Sequence, residues 1–162
     1  GLVGSEMCIR DRNVDELDAL FNKRSGMMGM TGFGDLREVH RLVEEGNEDA
    51  KLALDIYVHR IVGYIGNYTA QMGGVDVITF TAGVGENDDV VRKMVCDKLA
   101  PFGVKLDEEK NATRSKEPRI ISTPDSSVII AVIPTNEELA IARKSAAIAE
   151  EGKDSYGNVF SK

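Results

Sequence analysis

The segment Asp76 to Asn87, with the sequence DVITFTAGVGEN, constrains the fold more than any other part of this 162-residue chain. Its apolar run, Val77 to Phe80, is short and rich in β-branched residues, which predicts a buried β-strand. Gly83 and Gly85 follow closely and predict a glycine-rich turn. Ligands of open α/β sheets bind outside the carboxyl ends of the strands. We therefore expect this turn to form the nucleotide-facing edge of an α/β lobe.

A second apolar run, Val128 to Ile133 (VIIAVI), predicts a central strand, and predicted helices alternate with both runs. Unbroken apolar strands indicate a sheet that is covered on both faces, so the predicted fold class is α/β. The long helix from Asn47 to Met72 is apolar enough that we expect burial on two sides. The other predicted elements are short strands at Gly103 to Leu106 and Arg119 to Ser122, helices at Val14 to Arg24, Asp35 to Gly46, Asp88 to Ala100 and Thr135 to Glu150, and loops at 25–34 and 107–118.

The composition excludes several function classes. The formal net charge of −7 argues against nonspecific binding to nucleic acid, which needs clustered Lys and Arg. No apolar stretch approaches the roughly 20 residues that span a bilayer, so we expect no membrane partner. The two cysteines, Cys8 and Cys96, sit in no metal-ligand spacing, and a reduced, cytoplasmic setting fits best. We expect residues 1–12 to be a foreign leader without regular periodicity, 13–150 to form one lobe and 151–162 to be a polar tail.

The residues after the glycines narrow the kind of ligand. Glu86, Asp88 and Asp89 crowd the start of the next predicted helix, where acidic side chains themselves satisfy the helix dipole. They would repel a bare triphosphate, so the turn is better suited to the base or ribose end of a nucleotide. The alternative is that Gly83 and Gly85 serve only a backbone conformation with positive φ.

Two other motifs have both a structural and a functional interpretation. In PTNEEL, Thr135 and Glu138 predict a capping box, which leaves Glu137 either as a helix N-terminal acid or as a Mg²⁺ ligand. In GDLRE, Asp35 is an N-cap by position. Arg37 lies in the first turn, where a cation is unfavourable, so it either contacts a base or phosphate or is a surface residue.

Taken together, these segments resemble the acetate kinase family, the ATP-dependent acyl-phosphate kinases of the actin-like/sugar-kinase (ribonuclease H-like) superfold. The resemblance runs in the family's order from about Asn13 to Glu150, and it covers nearly the whole chain after the expected leader. The matching segments are ELDALFNKRSGMMGMTG, DLREV, EDAKLALDIYVHRIVGYIGNYTAQMGGVDVITFTAGVGENDDVVR, FGVKLDEEKN and VIPTNEELAIAR.

The resemblance implies a C-terminal lobe that uses ATP/ADP and Mg²⁺ and converts ATP and acetate reversibly to ADP and acetyl phosphate. Glu137 matches the family's Mg²⁺ glutamate. The implied nucleotide-binding residues are Asp35, Leu36, Arg37, Gly83, Val84, Gly85, Glu86 and Asn87. The family's catalytic and carboxylate-binding residues lie upstream, so the resemblance implies no catalytic residue in this chain, which we expect to be inactive alone. It also implies a homodimeric parent and leaves two alternatives open, a propionate kinase and a noncatalytic nucleotide-binding or dimerisation module.

Overall fold

The structure is a computed structural model that describes residues 13–151. The chain divides into two compact units, with the boundary after Gly73. The expected leader at 1–12 and nearly all of the expected polar tail lie outside the described residues. Within 13–151, no helix has the length and apolar character needed to cross a membrane.

The first unit contains four helices, which are α1 (Val14–Lys23), α2 (Gly26–Thr31), α3 (Leu36–Glu44) and α4 (Glu48–Met72). Side-chain caps fix where they begin. Asn13 and Glu16 form the expected capping box at α1. Asn47 accepts a hydrogen bond from the backbone N–H of Ala50 at the start of α4. Gly73 ends α4 in the left-handed conformation.

Two expectations for the first unit are wrong. The stretch at 25–34 is not a plain loop, because α2 forms within it despite its glycines. The two-sided burial of α4 is also wrong: α2 and α3 pack against α4, and its buried residues all lie in its N-terminal half. The apolar side chains Tyr64, Tyr68 and Met72 in the C-terminal half remain exposed, because no described helix of this unit covers them. The buried residues of this unit are Val39, Ala50, Ala53, Leu54 and Val58.

The second unit is built on a mixed sheet with the order β1-β3-β2, formed by β1 (Val77–Phe80), β2 (Arg119–Ile120) and β3 (Ile129–Val132). β1 pairs with β3 in parallel, and β2 pairs with β3 antiparallel. β3 is the predicted central strand. Its successive residues Ile130, Ala131 and Val132 point to alternating faces and are all buried, so β3 is covered on both faces from Ile130 to Val132, whereas Ile129 is 45% exposed.

β1 is an edge strand rather than a buried one. The side chain of Val77 is 48% exposed, and exposed and half-buried residues alternate along β1. The expectation of a buried strand is therefore wrong, because an edge strand has a neighbour on one side only within the described sheet.

The helices of the second unit are α5 (Ala82–Asn87), α6 (Asp89–Leu99), α7 (Glu108–Ala112) and α8 (Glu137–Glu151), with a 3₁₀ turn at Ala100–Phe102. The expected loop at 107–118 contains α7, which Asp107 caps by accepting from the backbone N–H of Lys110. The expected strand at 103–106 is reduced to a single bridge between Leu106 and Ser122. The larger buried apolar residues of this unit are Val91, Val95, Leu99, Val104, Ile121, Val128, Ile130 and Val132.

Candidate functional site

The carboxyl ends of β1 and β3 lie side by side, because the two strands pair in parallel. Thr81 follows β1 directly, and its Oγ1 lies 2.9 Å from the Oγ1 of Thr135 beyond β3. The backbone N–H of Ala82 donates to the same Thr135 hydroxyl at 3.1 Å. Ala82 has a φ of 59°, a left-handed conformation that is uncommon for residues other than glycine. Hydrogen bonds therefore join the two segments that leave the sheet, and the first of these segments turns at Ala82 in a strained conformation.

Helix α5 carries the five residues that were predicted to form a nucleoside-facing turn. The turn is a helix, and neither Gly83 nor Gly85 has positive φ, so the interpretation that they serve a positive-φ backbone is wrong. A Cβ atom on Gly85 would lie 3.2 Å from the backbone carbonyl carbon of Phe80, whereas a Cβ atom on Gly83 would meet no described atom within 4 Å. Val84 is half-buried between them. A side chain at Gly85 would therefore crowd the backbone at the end of β1, and Gly83 presents an open backbone surface.

The polar residues at the end of α5 make hydrogen bonds within this unit. The Oε1 of Glu86 accepts from the backbone N–H of Thr135 at 2.7 Å, and this bond lowers the pKa of Glu86. The side-chain amide of Asn87 donates to the carbonyl oxygen of Gly83 at 2.8 Å. Glu86 belongs to α5 and not to the start of the next helix, where Asp88 is the N-cap. Glu86 thus ties α5 to the segment that follows β3.

The start of α8 differs from the predicted capping box. The Oδ1 of Asn136 accepts from the backbone N–H of Leu139 at 3.0 Å, so Asn136 is the cap. The predicted pair of Thr135 and Glu138 is wrong, because the hydroxyl of Thr135 is already bonded to the segment after β1.

Glu137 is the first residue of α8 and is exposed. Within residues 13–151, no group of three His, Cys, Asp or Glu side chains is arranged to hold a metal ion. Mg²⁺ commonly keeps several waters and binds through one or two carboxylates together with substrate phosphates. An accessible single carboxylate fits the role of one such ligand, and it does not make a complete metal site.

Asp35, Leu36 and Arg37 lie in the first unit, at the start of α3. Asp35 caps the helix as predicted, accepting from the backbone N–H of Arg37 at 2.9 Å. The guanidinium of Arg37 also pairs with the Asp35 carboxylate, through Nε–H at 3.1 Å and Nη2–H at 2.5 Å. These hydrogen bonds lower the pKa of Asp35 to about 2. The pairing gives Arg37 a local structural partner, while its side chain stays largely exposed.

The chain matches a known family along most of its length. The model of the acetokinase family matches residues 7–143. The chain belongs to the acetokinase family.

Among the relatives of this acetokinase-family chain, an acetate kinase of Leifsonia xyli is 54% identical over 132 residues, which are 82% of this chain and 33% of that protein. An acetate kinase of Oleidesulfovibrio alaskensis is 54% identical over 128 residues, which are 79% of this chain and 32% of the relative. The chain therefore spans about a third of the length of these curated relatives.

Solved structures agree with this assignment. The acetate kinase of Porphyromonas gingivalis superimposes with a TM-score of 0.81 at 38% identity, covering 93% of this chain and 38% of that one. A propionate kinase of Francisella tularensis gives a TM-score of 0.76 at 36% identity, covering 88% of this chain and 36% of that one. These neighbours have the actin-like ATPase fold, and this acetokinase-family chain is an α/β segment of it with a small mixed sheet flanked by helices.

Sequence reasoning missed two buried polar residues beside α5. Arg92 on α6 and Asn111 on α7 are both buried, and Arg92 donates to the backbone carbonyls of Gly85 and Glu86 at 2.9 and 3.0 Å. One signal was available in the sequence: Arg92 is a charged residue on the inward row that Val91 and Val95 define. In this acetokinase-family chain, α5 is thus held both from the α6–α7 side and from the end of β3.

Proposed function

We propose that this chain forms the nucleoside-facing side of an ATP-dependent, Mg²⁺-dependent acetate kinase, which transfers a phosphoryl group between ATP and acetate. The proposal is supported by the family and by relatives that are named acetate kinases. In such a direct transfer the protein contributes by positioning the reactants and neutralising charge. The part proposed for this chain is to hold ADP or ATP by its base and ribose.

The observation that carries the proposal is the open backbone at Gly83, on a helix that leaves the carboxyl edge of the sheet. A base or a ribose can approach a glycine backbone closely, because no side chain intervenes. Carboxyl edges of α/β sheets are where ligands of such folds bind. Packing among the described residues does not require a glycine at position 83, because an added Cβ would meet no atom within 4 Å. A bound ligand is therefore the favoured reason for a glycine there.

The charges of α5 and α8 indicate which part of the nucleotide would lie beside each helix. Glu86 keeps a negative charge, since its pKa is lowered, and a negative charge disfavours phosphates next to α5. Glu137 is accessible at the start of α8 and is the proposed single protein carboxylate for Mg²⁺ in this chain. When bound, the ion neutralises phosphate charge. Asp35, Leu36 and Arg37 remain proposed nucleotide-binding residues of the first unit.

Calorimetry with ADP and one variant pair tests this proposal. Gly83→Leu places a side chain on the open surface of α5, and Gly63→Leu makes the same change at an exposed helical glycine of α4 that also has no described atom nearby. We expect wild-type and Gly63→Leu chains to bind ADP with the same Kd, and Gly83→Leu to bind at least about tenfold more weakly, as steric exclusion of a buried contact predicts. Equal heats for all three proteins would remove α5 from the site.

A propionate kinase is a second candidate, favoured by the similarity to the Francisella tularensis propionate kinase. The residues that distinguish the acyl groups are not among the site residues assigned to this chain. The ratio of kcat/KM for acetate and propionate in the enzyme that contains this chain decides between them. A ratio in favour of propionate would replace the acetate assignment.

A noncatalytic nucleotide-binding or dimerisation module is the third candidate, and the exposed apolar residues on α4 are consistent with a subunit surface. For the 162-residue chain alone we expect ADP binding without acetyl-phosphate formation. Acetyl phosphate formation is assayed by trapping the product with hydroxylamine as the hydroxamate. Turnover by the purified chain would contradict the expectation. Cytoplasmic location and homodimer formation by the enzyme that contains this chain remain predictions.

A further inference from the structure

Arg92 is the most deeply buried charged residue among those described, at 2% exposed. Its guanidinium donates to the backbone carbonyl oxygens of Gly85 at 2.9 Å and Glu86 at 3.0 Å, near the C-terminal end of α5. The last carbonyls of a helix lack partners within the helix, and a cation satisfies both their hydrogen bonds and the negative end of the dipole. Arg92 therefore caps α5 from the neighbouring helix α6.

Asn111 completes this arrangement from α7. Its Oδ1 accepts from the Nε–H of Arg92 at 2.7 Å, and its backbone carbonyl accepts from the Nη2–H at 2.8 Å. The side-chain amide of Asn111 donates in turn to the carbonyl oxygen of Asp89 at 2.9 Å. Asn111 is 4% exposed, so these bonds replace those that water would supply. The guanidinium is thereby fixed in one orientation, with its remaining donors aimed at α5.

Burial lowers the pKa of Arg92, which indicates that keeping its charge inside the unit carries a desolvation cost. The cost is offset only while all partners are in place, because a buried charge that loses a partner is strongly destabilising. The network fixes the end of α5, and the bond of Glu86 to the Thr135 backbone fixes it from another direction. Two sets of bonds thus hold a helix whose own glycines disfavour it.

We propose that Arg92 and Asn111 are positioning residues for nucleotide binding, which hold α5 so that Gly83 faces the nucleoside. Neither residue contacts the ligand, since both side chains are buried against α5, α6 and α7. The proposal rests on the proposed function for its ligand, and on the hydrogen bonds of Arg92 for its geometry.

The test uses the full 162-residue chain with Asn111→Ala, which removes the acceptor for the Arg92 Nε–H and leaves Arg92 itself in place. The matched control is Lys93→Gln. Lys93 adjoins Arg92 and also links α6 to α7, through a surface ion pair with Glu108 at 2.8 Å. Among the described residues its ion pairs are with Asp97 and Glu108, and neither of these belongs to α5. Two quantities are measured, the Kd for ADP by calorimetry and amide hydrogen exchange by mass spectrometry or NMR.

We expect Asn111→Ala to raise the Kd for ADP at least about fivefold, because disordering a preorganised contact lowers affinity. It should also accelerate exchange at Asp88, whose N–H closes α5 on the carbonyl of Val84 at 2.9 Å. Exchange at Ile121, which donates to Ile130 at 2.8 Å in the sheet region, should stay at the wild-type rate. Lys93→Gln should match the wild type in the Kd for ADP and in the exchange rates at Asp88 and Ile121.

Unchanged exchange in α5 together with an unchanged Kd would overturn the proposal. If Asn111→Ala does not fold, Arg92→Lys is tested the same way, since an ammonium keeps the charge and cannot hold α5 and Asn111 in the same fork. Exchange that is faster throughout the unit in both variants would also overturn it, because the network would then support the unit as a whole. If the wild-type chain does not bind ADP, the proposed function fails. Faster exchange confined to α5 then still supports the part of the proposal in which Arg92 and Asn111 hold α5, and unchanged exchange there overturns that part as well.

Discussion

The two glycines of α5 allow a sharp stability test, because they share one helix and differ in what surrounds them. Alanine is a better helix residue than glycine by up to about 1 kcal/mol. At Gly83 the added Cβ meets no described atom within 4 Å, so Gly83→Ala should gain most of that amount. At Gly85 the Cβ would lie 3.2 Å from the carbonyl carbon of Phe80 and 3.5 Å from its Cα.

The contact at Gly85 is with backbone, which cannot rotate away as a flexible side chain can. Forcing an extra carbon into such a place costs about 1–3 kcal/mol, which cancels or exceeds the helix gain of about 1 kcal/mol. Gly85→Ala should therefore be neutral to about 2 kcal/mol destabilising. The two variants should differ by about 1–3 kcal/mol in the free energy of unfolding, although the substitution is the same.

The assay is urea denaturation followed by circular dichroism, with the midpoints compared at a common slope. Gly83→Ala should be the most stable of the three proteins, and Gly85→Ala should be no more stable than wild type. Equal midpoints for the two variants would refute the packing of α5 against the end of β1. A loss of unfolding free energy in Gly83→Ala as large as that in Gly85→Ala would also refute it.

Three further outcomes are expected. Ile130→Ala should cost about 2–5 kcal/mol in urea denaturation because Ile130 is fully buried, whereas Ile120→Ala on the exposed side of β2 should be nearly neutral, and similar losses would place the core elsewhere. Burial raises the pKa of Cys96 to about 12, so in a Cys8→Ser background a thiol reagent should react only as the chain unfolds, and rapid reaction of the folded chain would contradict this burial. Because the pKa of Glu86 is lowered in the folded chain, its carboxylate stabilises the fold at pH values above the ordinary glutamate pKa of 4.5, and this contribution is lost as the pH falls through the lowered pKa. Glu86→Gln should therefore lose less stability than wild type between about pH 7 and about pH 3. Identical acid profiles would refute the bond to the Thr135 backbone.

The strands and long helices were predictable because their signals are local. Val77–Phe80 and Ile129–Val132 are apolar runs of strand length. Asn47 marks the start of α4 as its N-cap, and Gly73 marks its end. The exposure of Val77 and of the C-terminal half of α4 was not predictable. Periodicity identifies an apolar face, but it does not identify what covers that face.

Helix α5 shows why local signals fail at the site. Its two glycines disfavour a helix by about 1 kcal/mol each, which made a turn the better prediction. The helix forms because Arg92 and Glu86 attach it to segments that are distant in sequence: Glu86 and Thr135 are 49 residues apart, and Arg92 and Asn111 are 19 apart. Such contacts depend on strand order and register, which a single sequence does not specify.

The candidate site was predictable in its location and less so in its details. The carboxyl edge of a parallel pair follows from the order of apolar runs and helices, and Gly83 and Glu137 lie on the segments that leave that edge. Glu86 does lie two residues before Asp88, the N-cap of α6, but its carboxylate accepts a hydrogen bond from the Thr135 backbone, which the sequence did not predict.

The proposed function requires ADP to bind against α5, at the carboxyl ends of β1 and β3. The most direct measurement is a titration of the ¹⁵N-labelled chain with ADP, followed by amide chemical shifts. We expect shifts concentrated at residues 82–87 and around Thr135, with little change at the buried amides of Ile121 and Ile130. Saturable shifts confined to other surfaces, or no shifts at ADP concentrations that saturate a millimolar site, would contradict it.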